Sequence, residues 1–312
     1  MALFENRNWF WVLGCPILFA AVALKKKSVD RSGAVAGLIV ALSCSLAGLE
    51  FILGLLFFFV TSTVLTRMGS KRKKKVNVEG FSLTHRCLHR VCIRRLTGEI
   101  SPYPFTLRPT QVDGEYKEGG QRNYVQVFSN GFAGTIACVA LICYDLNTED
   151  QVYTFFAAMF LGHYSCCIGD TWASEAGTAS QSRLAQPILI TSLKPVKPGT
   201  NGGISVIGTT ASALGGLALG LVFWLSGSPL GLLPCAFIGL SGGFGGSFVD
   251  SVLGATLQFS GYVEGTEKVV NEPGKGVVTI CGNDILDNHQ VNLVSSTATA
   301  LACGVAASSL LH

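Results

Sequence analysis

Apolar residues along this chain fall in long uninterrupted runs, not in the alternation of a strand or the one-sided stripe of a surface helix. Runs of about 17 to 25 residues have the length needed to cross a bilayer as a helix. Eight are visible, at residues 9–24, 33–49, 51–66, 125–144, 152–168, 203–226, 230–254 and 291–311. Glu50 alone interrupts the second and third runs, which predicts a tight hairpin. The seventh ends in Ser241-Gly242-Gly243-Phe244-Gly245-Gly246-Ser247. That much glycine predicts a break in the helix, tolerated at membrane depth only against protein or a cavity.

Composition agrees with the pattern. Charged residues make up 13% of the 312, about half the share usual in soluble proteins. Hydrophobic residues make up 49%, and 37 residues are glycine. The mean hydropathy is +0.45. These values exclude a disordered chain, a coiled coil and a soluble enzyme with a charged surface. They point to an all-α polytopic membrane protein, with residues 1–312 forming one multi-pass domain of about eight transmembrane helices. Most of the eleven cysteines sit inside apolar runs and read as small buried hydrophobes, not as a disulfide framework.

The positive charges orient the spans. Of 23 lysines and arginines, 22 fall in four loops that eight spans would place on one face, leaving Arg7 on the other. By the positive-inside rule that face is cytosolic, and both termini lie outside the cytosol. The head of the chain, followed by Lys25-Lys26-Lys27, reads as an uncleaved signal-anchor, without a small-residue cleavage site. The basic loop 67–124 contains a stretch of different style, 77–111, with His85, Cys87, His89 and Cys92 among arginines. A zinc site would need a second ligand pair at better spacing. A basic surface helix is an alternative, and a disordered insertion is the plainest reading. No nucleic-acid partner is expected.

Polar residues cluster at the cytosolic ends of the spans. Lys117-Glu118-Gly119-Gly120-Gln121-Arg122-Asn123 runs into the fourth span, and Gly169-Asp170-Thr171-Trp172-Ala173-Ser174-Glu175 follows the fifth. Lys194-Pro195-Val196-Lys197-Pro198-Gly199-Thr200-Asn201-Gly202-Gly203 leads into the sixth. Asp250-Ser251-Val252-Leu253-Gly254-Ala255-Thr256 ends the seventh, and Ile285-Leu286-Asp287-Asn288 precedes the eighth. The glycines before the sixth span lack P-loop spacing, but offer flexible backbone N–H groups facing a helix N-terminus.

These motifs resemble the family of transmembrane protein 19 and its plant and bacterial relatives, among them phytyl-phosphate kinase. The resemblance runs from Lys25 to the last span, and relative to it residues 77–111 look like an insertion. The Gly-Asp-x-x-Ala-Ser core is also similar to that of CTP-using membrane enzymes such as dolichol kinase. The resemblance implies phosphoryl transfer from CTP or ATP, with Mg²⁺, to an isoprenoid alcohol or monophosphate. Asp170, Asp250 and Lys197 are then the catalytic candidates. Asp170, Asp250, Asp284 and Asp287 are candidate metal ligands, because Mg²⁺ takes carboxylate oxygens and water. Arg122, Lys194, Gly199, Thr200, Asn201, Gly202 and Gly203 are candidate nucleotide or phosphate binders, Arg122 through its bidentate fork.

Each residue also has a plainer role. Asp170 is suited to cap a following helix, and the lysines satisfy the positive-inside rule without a ligand. A carboxylate in an apolar span, such as Asp250, is costly and so points to function. His163, inside the fifth span, reads as a structural histidine. The competing functions are a transporter with a midplane site in span seven, and a membrane protein without catalysis. An endomembrane such as the endoplasmic reticulum is expected ahead of a plastid.

Overall fold

The computed structural model describes residues 9–69, 121–144, 150–180, 182–265 and 269–311. The 77–111 stretch and Lys117 through Gly120 lie outside them. The chain is mostly helical: a π-turn at Phe10–Gly14, then α1 (Cys15–Lys25), α2 (Arg31–Ala47) and α3 (Leu49–Gly69). There follow α4 (Tyr124–Ser129), α5 (Phe132–Tyr144), α6 (Gln151–Ala179), α7 (Val206–Leu225), α8 (Leu232–Leu257) and α9 (Asn288–Leu310). Among the described residues five helices, α3, α6, α7, α8 and α9, are long and apolar enough to cross a bilayer. Shorter apolar helices, Val12–Lys25, Arg31–Ala47 and Phe132–Tyr144, correspond to the other three expected runs.

The helix starts follow local chemistry. Asp30 caps α2 by accepting from the Gly33 N–H, and Asp150 caps α6 by accepting from the Val152 N–H. Asn123 with Gln126 and Asp287 with Gln290 form reciprocal capping boxes at α4 and α9. Between α2 and α3 only Gly48 intervenes, in extended conformation, so the expected hairpin turns on a single residue.

Helix α6 is the axis. It packs against α5, α7, α8 and α9, and 83% of its apolar window is buried, against 33–39% in the other four long helices. The outer helices therefore turn most of their apolar surface to lipid. An aromatic cluster joins α3, α6 and α7: Phe51 meets Phe160 edge-on at 4.9 Å, and Phe223 at 5.4 Å.

Two expectations about breaks are corrected. The glycine-rich seventh run is a continuous helix, and several of its glycines, Gly239 and Gly243 among them, face the backbone of a neighbouring helix. A Cβ on Gly216 of α7 would strike the Gly239 carbonyl and Gly243 Cα of α8, and one on Gly169 of α6 would strike the Gly243 backbone. Small residues here bring helices together instead of breaking one. The fourth run is the broken one, divided into α4 and α5 at Asn130-Gly131.

The fifth run does not end at Ile168 but continues to Ala179. At 1.5 Å per residue, 20 residues cross about 30 Å of hydrocarbon, so the turn carrying Asp170 reaches one boundary of it. The Arg122 N–H donates to the Ser28 carbonyl, and the Asn201 N–H donates to Ser260 Oγ. The loops bearing most of the lysines and arginines thus meet at one end. Two small sheets, absent from an all-helical reading, brace that end. In one, β1 (Ile188–Leu189) pairs with β2 (Gly203–Ile204). The other has the order β4 (Val269–Val270), β3 (Ser260–Val263), β5 (Val277–Cys281).

Candidate functional site

Two cavities open at this end and share three residues, Asp170, Ser174 and Asn288. The first, about 410 Å³, has apolar walls from α1, α2 and α3 and a polar end with Arg122, Gln126, Asn130 and Asn292. The second, about 300 Å³, is lined by Gly199 through Ser205, by Gly208 and Thr209, and by Asp250, Ser251 and Gly254.

The second cavity is built from backbone. Gly199 and Gly202 have φ of 89° and 74°, a region that favours glycine. The Thr200 N–H and Oγ1 both donate to the Lys197 carbonyl, and the Gly203 N–H donates to the Thr200 carbonyl, folding successive turns. A Cβ on Gly202 would meet Ala255 and the Ser251 carbonyl, so the loop lies directly on the last turns of α8. Asn201 Nδ2 donates to the Phe259 carbonyl and ties the loop to the strand region. Ser205 caps α7 by accepting from the Gly208 N–H, and Asn288 opens α9. Two helix N-termini, each with the positive end of a dipole, therefore border the glycine loop.

Asp170 and Asp250 line this cavity together and interact electrostatically. Asp250 Oδ2 accepts from Ser295 Oγ at 2.8 Å. No basic side chain among the described residues offsets the pair. Two uncompensated carboxylates in apolar helices fit a bound cation. Mg²⁺ commonly takes one or two carboxylates and completes its shell with water and substrate phosphates, so these two residues fit it.

In the first cavity the Arg122 guanidinium lies 5.4 Å from the Phe59 ring centre, and burial draws its pKa below the ordinary value. It remains a charged five-donor fork.

Only part of the expected constellation comes together. Asp170, Asp250 and Gly199 through Gly203 share the second cavity, whereas Arg122 faces the first. Asp170 lies within α6 and caps nothing. Asp284 and Asp287 line neither cavity. Asp287 is occupied in capping α9, and Asp284 is exposed. No group of three or more His, Cys, Asp or Glu able to hold a metal occurs among the described residues, so the four-aspartate set reduces to two.

Lys197 and Lys194 also lie outside both linings. Lys197 Nζ sits 4.2 Å from the Tyr262 ring centre, a cation–π contact, and Lys194 is exposed. His163 is fully buried beside Tyr164, as expected of a structural histidine. Asn288, Asn292 and Ser295 were missed as site residues. Their spacing of i, i+4 and i+7 puts polar groups on one face of an apolar helix, and that was the available signal.

Comparison with known proteins fits this architecture. The model of the family described as integral membrane protein DUF92 matches residues 14–97 and 108–300. The unmatched residues between, 98–107, lie inside the 77–111 stretch. Protein PGR of Arabidopsis thaliana is 38% identical over 306 residues, covering 93% of this chain and 92% of that protein. An uncharacterized membrane protein of Methanocaldococcus jannaschii is 24% identical over 86% of this chain and 88% of its own length. A second, from a Synechocystis strain, is 32% identical over 46% of this chain and 52% of its own. No solved structure matches the chain. The match to most of the helical segments and polar loops shows that this multi-pass protein belongs to the DUF92 integral membrane family.

Proposed function

We propose that this protein transfers a phosphoryl group from CTP or ATP, with Mg²⁺, to an isoprenoid alcohol or isoprenoid monophosphate at the cytosolic face of an endomembrane. One observation carries the reading: Asp170 stands where a polar, glycine-lined cavity meets an apolar-walled one. A reaction between a water-soluble phosphate donor and a lipid acceptor needs such a junction. The motif resemblance to phytyl-phosphate kinase points the same way.

The N-termini of α7 and α9 supply N–H donors and partial positive charge for the donor's phosphates, and the glycine loop lets the phosphates approach the backbone closely. Bound Mg²⁺ would offset phosphate charge. Asp170 and Asp250 would hold it, and Ser295 fixes the Asp250 carboxylate. In the neighbouring cavity Arg122 and the amides Gln126, Asn130 and Asn292 orient the acceptor's head. The acceptor oxygen attacks the terminal phosphorus in line as the bond to the nucleoside diphosphate breaks, an alcohol acceptor releasing its hydroxyl proton to water. A monophosphate acceptor is already an anion, so positioning and charge neutralisation suffice.

The test uses purified protein in detergent with Mg²⁺, radiolabelled CTP or ATP, and a panel of prenyl alcohols and monophosphates. Labelled lipid formed by the wild type and lost in Asp170→Asn is expected. A folded wild-type protein that labels no member of the panel overturns the reading.

A further inference from the structure

Gly33 and Gly37 lie one turn apart on the same face of α2, and both line the first cavity. Gly33 has a packing reason to be glycine, since a Cβ there would strike the Arg122 carbonyl oxygen. Gly37 has none: a Cβ there would meet nothing within 4 Å. Glycine in a helix interior costs about 0.5–1 kcal/mol relative to alanine, and here no neighbouring helix accounts for it. What Gly37 borders is cavity.

The cavity is long. Along α3 its lining runs from Thr66 to Leu55, on the order of 16 Å at 1.5 Å per residue, with the Arg122 guanidinium over Phe59 between them. Apolar side chains of α1, α2 and α3 wall the cavity, and polar side chains including Arg122, Gln126 and Asn130 also line it, a division that suits an amphiphile with one apolar chain. Phe19 of α1 and Phe59 of α3 meet edge-on at 4.7 Å on the wall. At the inner end Val40 closes against Gly131.

We propose that this channel binds the apolar chain of a single-chain lipid, head towards Arg122 and Asp170, and that Gly37 sets how far the chain can enter. The inference rests on the acceptor site proposed above and adds the residue that selects chain length.

Gly37→Leu fills the channel from a position with free space, and Gly37→Ala fills it less. With geranyl and geranylgeranyl acceptors, the long-to-short ratio of kcat/KM should fall about tenfold in Gly37→Leu, the scale of overpacking a filled site. Gly37→Ala should give a smaller fall. Equal effects on both acceptors, or none, would overturn the assignment. A second arm needs no turnover: a geranylgeranyl monophosphate carrying a terminal diazirine is photolysed with wild type and both variants, and labelled peptides are mapped. Labelling around Phe19, Gly37 and Val40 that weakens from wild type to Ala to Leu supports the channel, even if no phosphoryl transfer is found. Labelling elsewhere, or unchanged by either substitution, removes it.

Discussion

The two cavities differ in what they present to a ligand. The glycine cavity presents backbone: left-handed glycines, two helix N-termini, and a loop tied by hydrogen bonds to its own carbonyls. The channel presents side chains: an arginine, several amides, and aromatic and aliphatic walls. Backbone donors suit phosphate, whose oxygens accept from any well-placed N–H, while an apolar chain is recognised by shape and area. Neither lysine expected at the phosphate lines the glycine cavity: Lys197 stacks on Tyr262 and Lys194 is exposed.

That contrast breaks most sharply at Asp170, one of the three residues the cavities share. Asp170→Asn should lower phosphoryl transfer by about 10²–10³-fold or more, the scale of losing a preorganised charged group, whichever substrate is limiting. Labelled-lipid formation by variant protein with wild-type size-exclusion behaviour checks it. Substitutions on either side should then separate the cavities. Gly202→Ala forces a Cβ against Ala255 at positive φ. It should raise KM for the nucleotide about tenfold or more, as strain of 1–3 kcal/mol implies, and leave KM for the lipid near its original value. Arg122→Gln should reverse the pattern, raising KM for the lipid about tenfold with little change for the nucleotide. Full two-substrate kinetics distinguish the two.

Ser295→Ala removes the hydroxyl holding Asp250 and should cost about 1.5–3 kcal/mol of the interaction with a charged acceptor. It should be read as a raised Mg²⁺ requirement that Ser295→Thr largely restores. The smallest effect belongs to Lys197→Ala. Loss of its contact with Tyr262 should reduce stability by about 0.5–1 kcal/mol, seen as a small fall in melting temperature, with turnover hardly changed. A severe loss of turnover there would place the lysine back at the phosphate.

Spans were legible because a helix that crosses lipid satisfies its own backbone groups and must be apolar along its length. The placement of 22 basic residues in four loops was legible for a similarly local reason. Breaks were not. Glycine density in α8 reads as weakness in one dimension, yet Gly239 and Gly243 are contact points against α7. Asn130-Gly131, which does divide a run, is no more conspicuous in sequence than Asn201-Gly202.

The sequence by itself determined that this is a multi-pass helical membrane protein, that its polar motifs share one face, and that Asp250 is costly enough to need a purpose. Tertiary structure alone decided which motifs meet. It put Asp170 between two cavities, gave Arg122 to the apolar-walled one, spent Asp287 on a helix cap, and brought Ser295 and Asn288 to the same end. The physical reason is that insertion and orientation depend on sums over each segment. A site instead depends on the angle and rotation at which segments pack, and in this bundle those are set by glycine contacts between helices far apart in the chain.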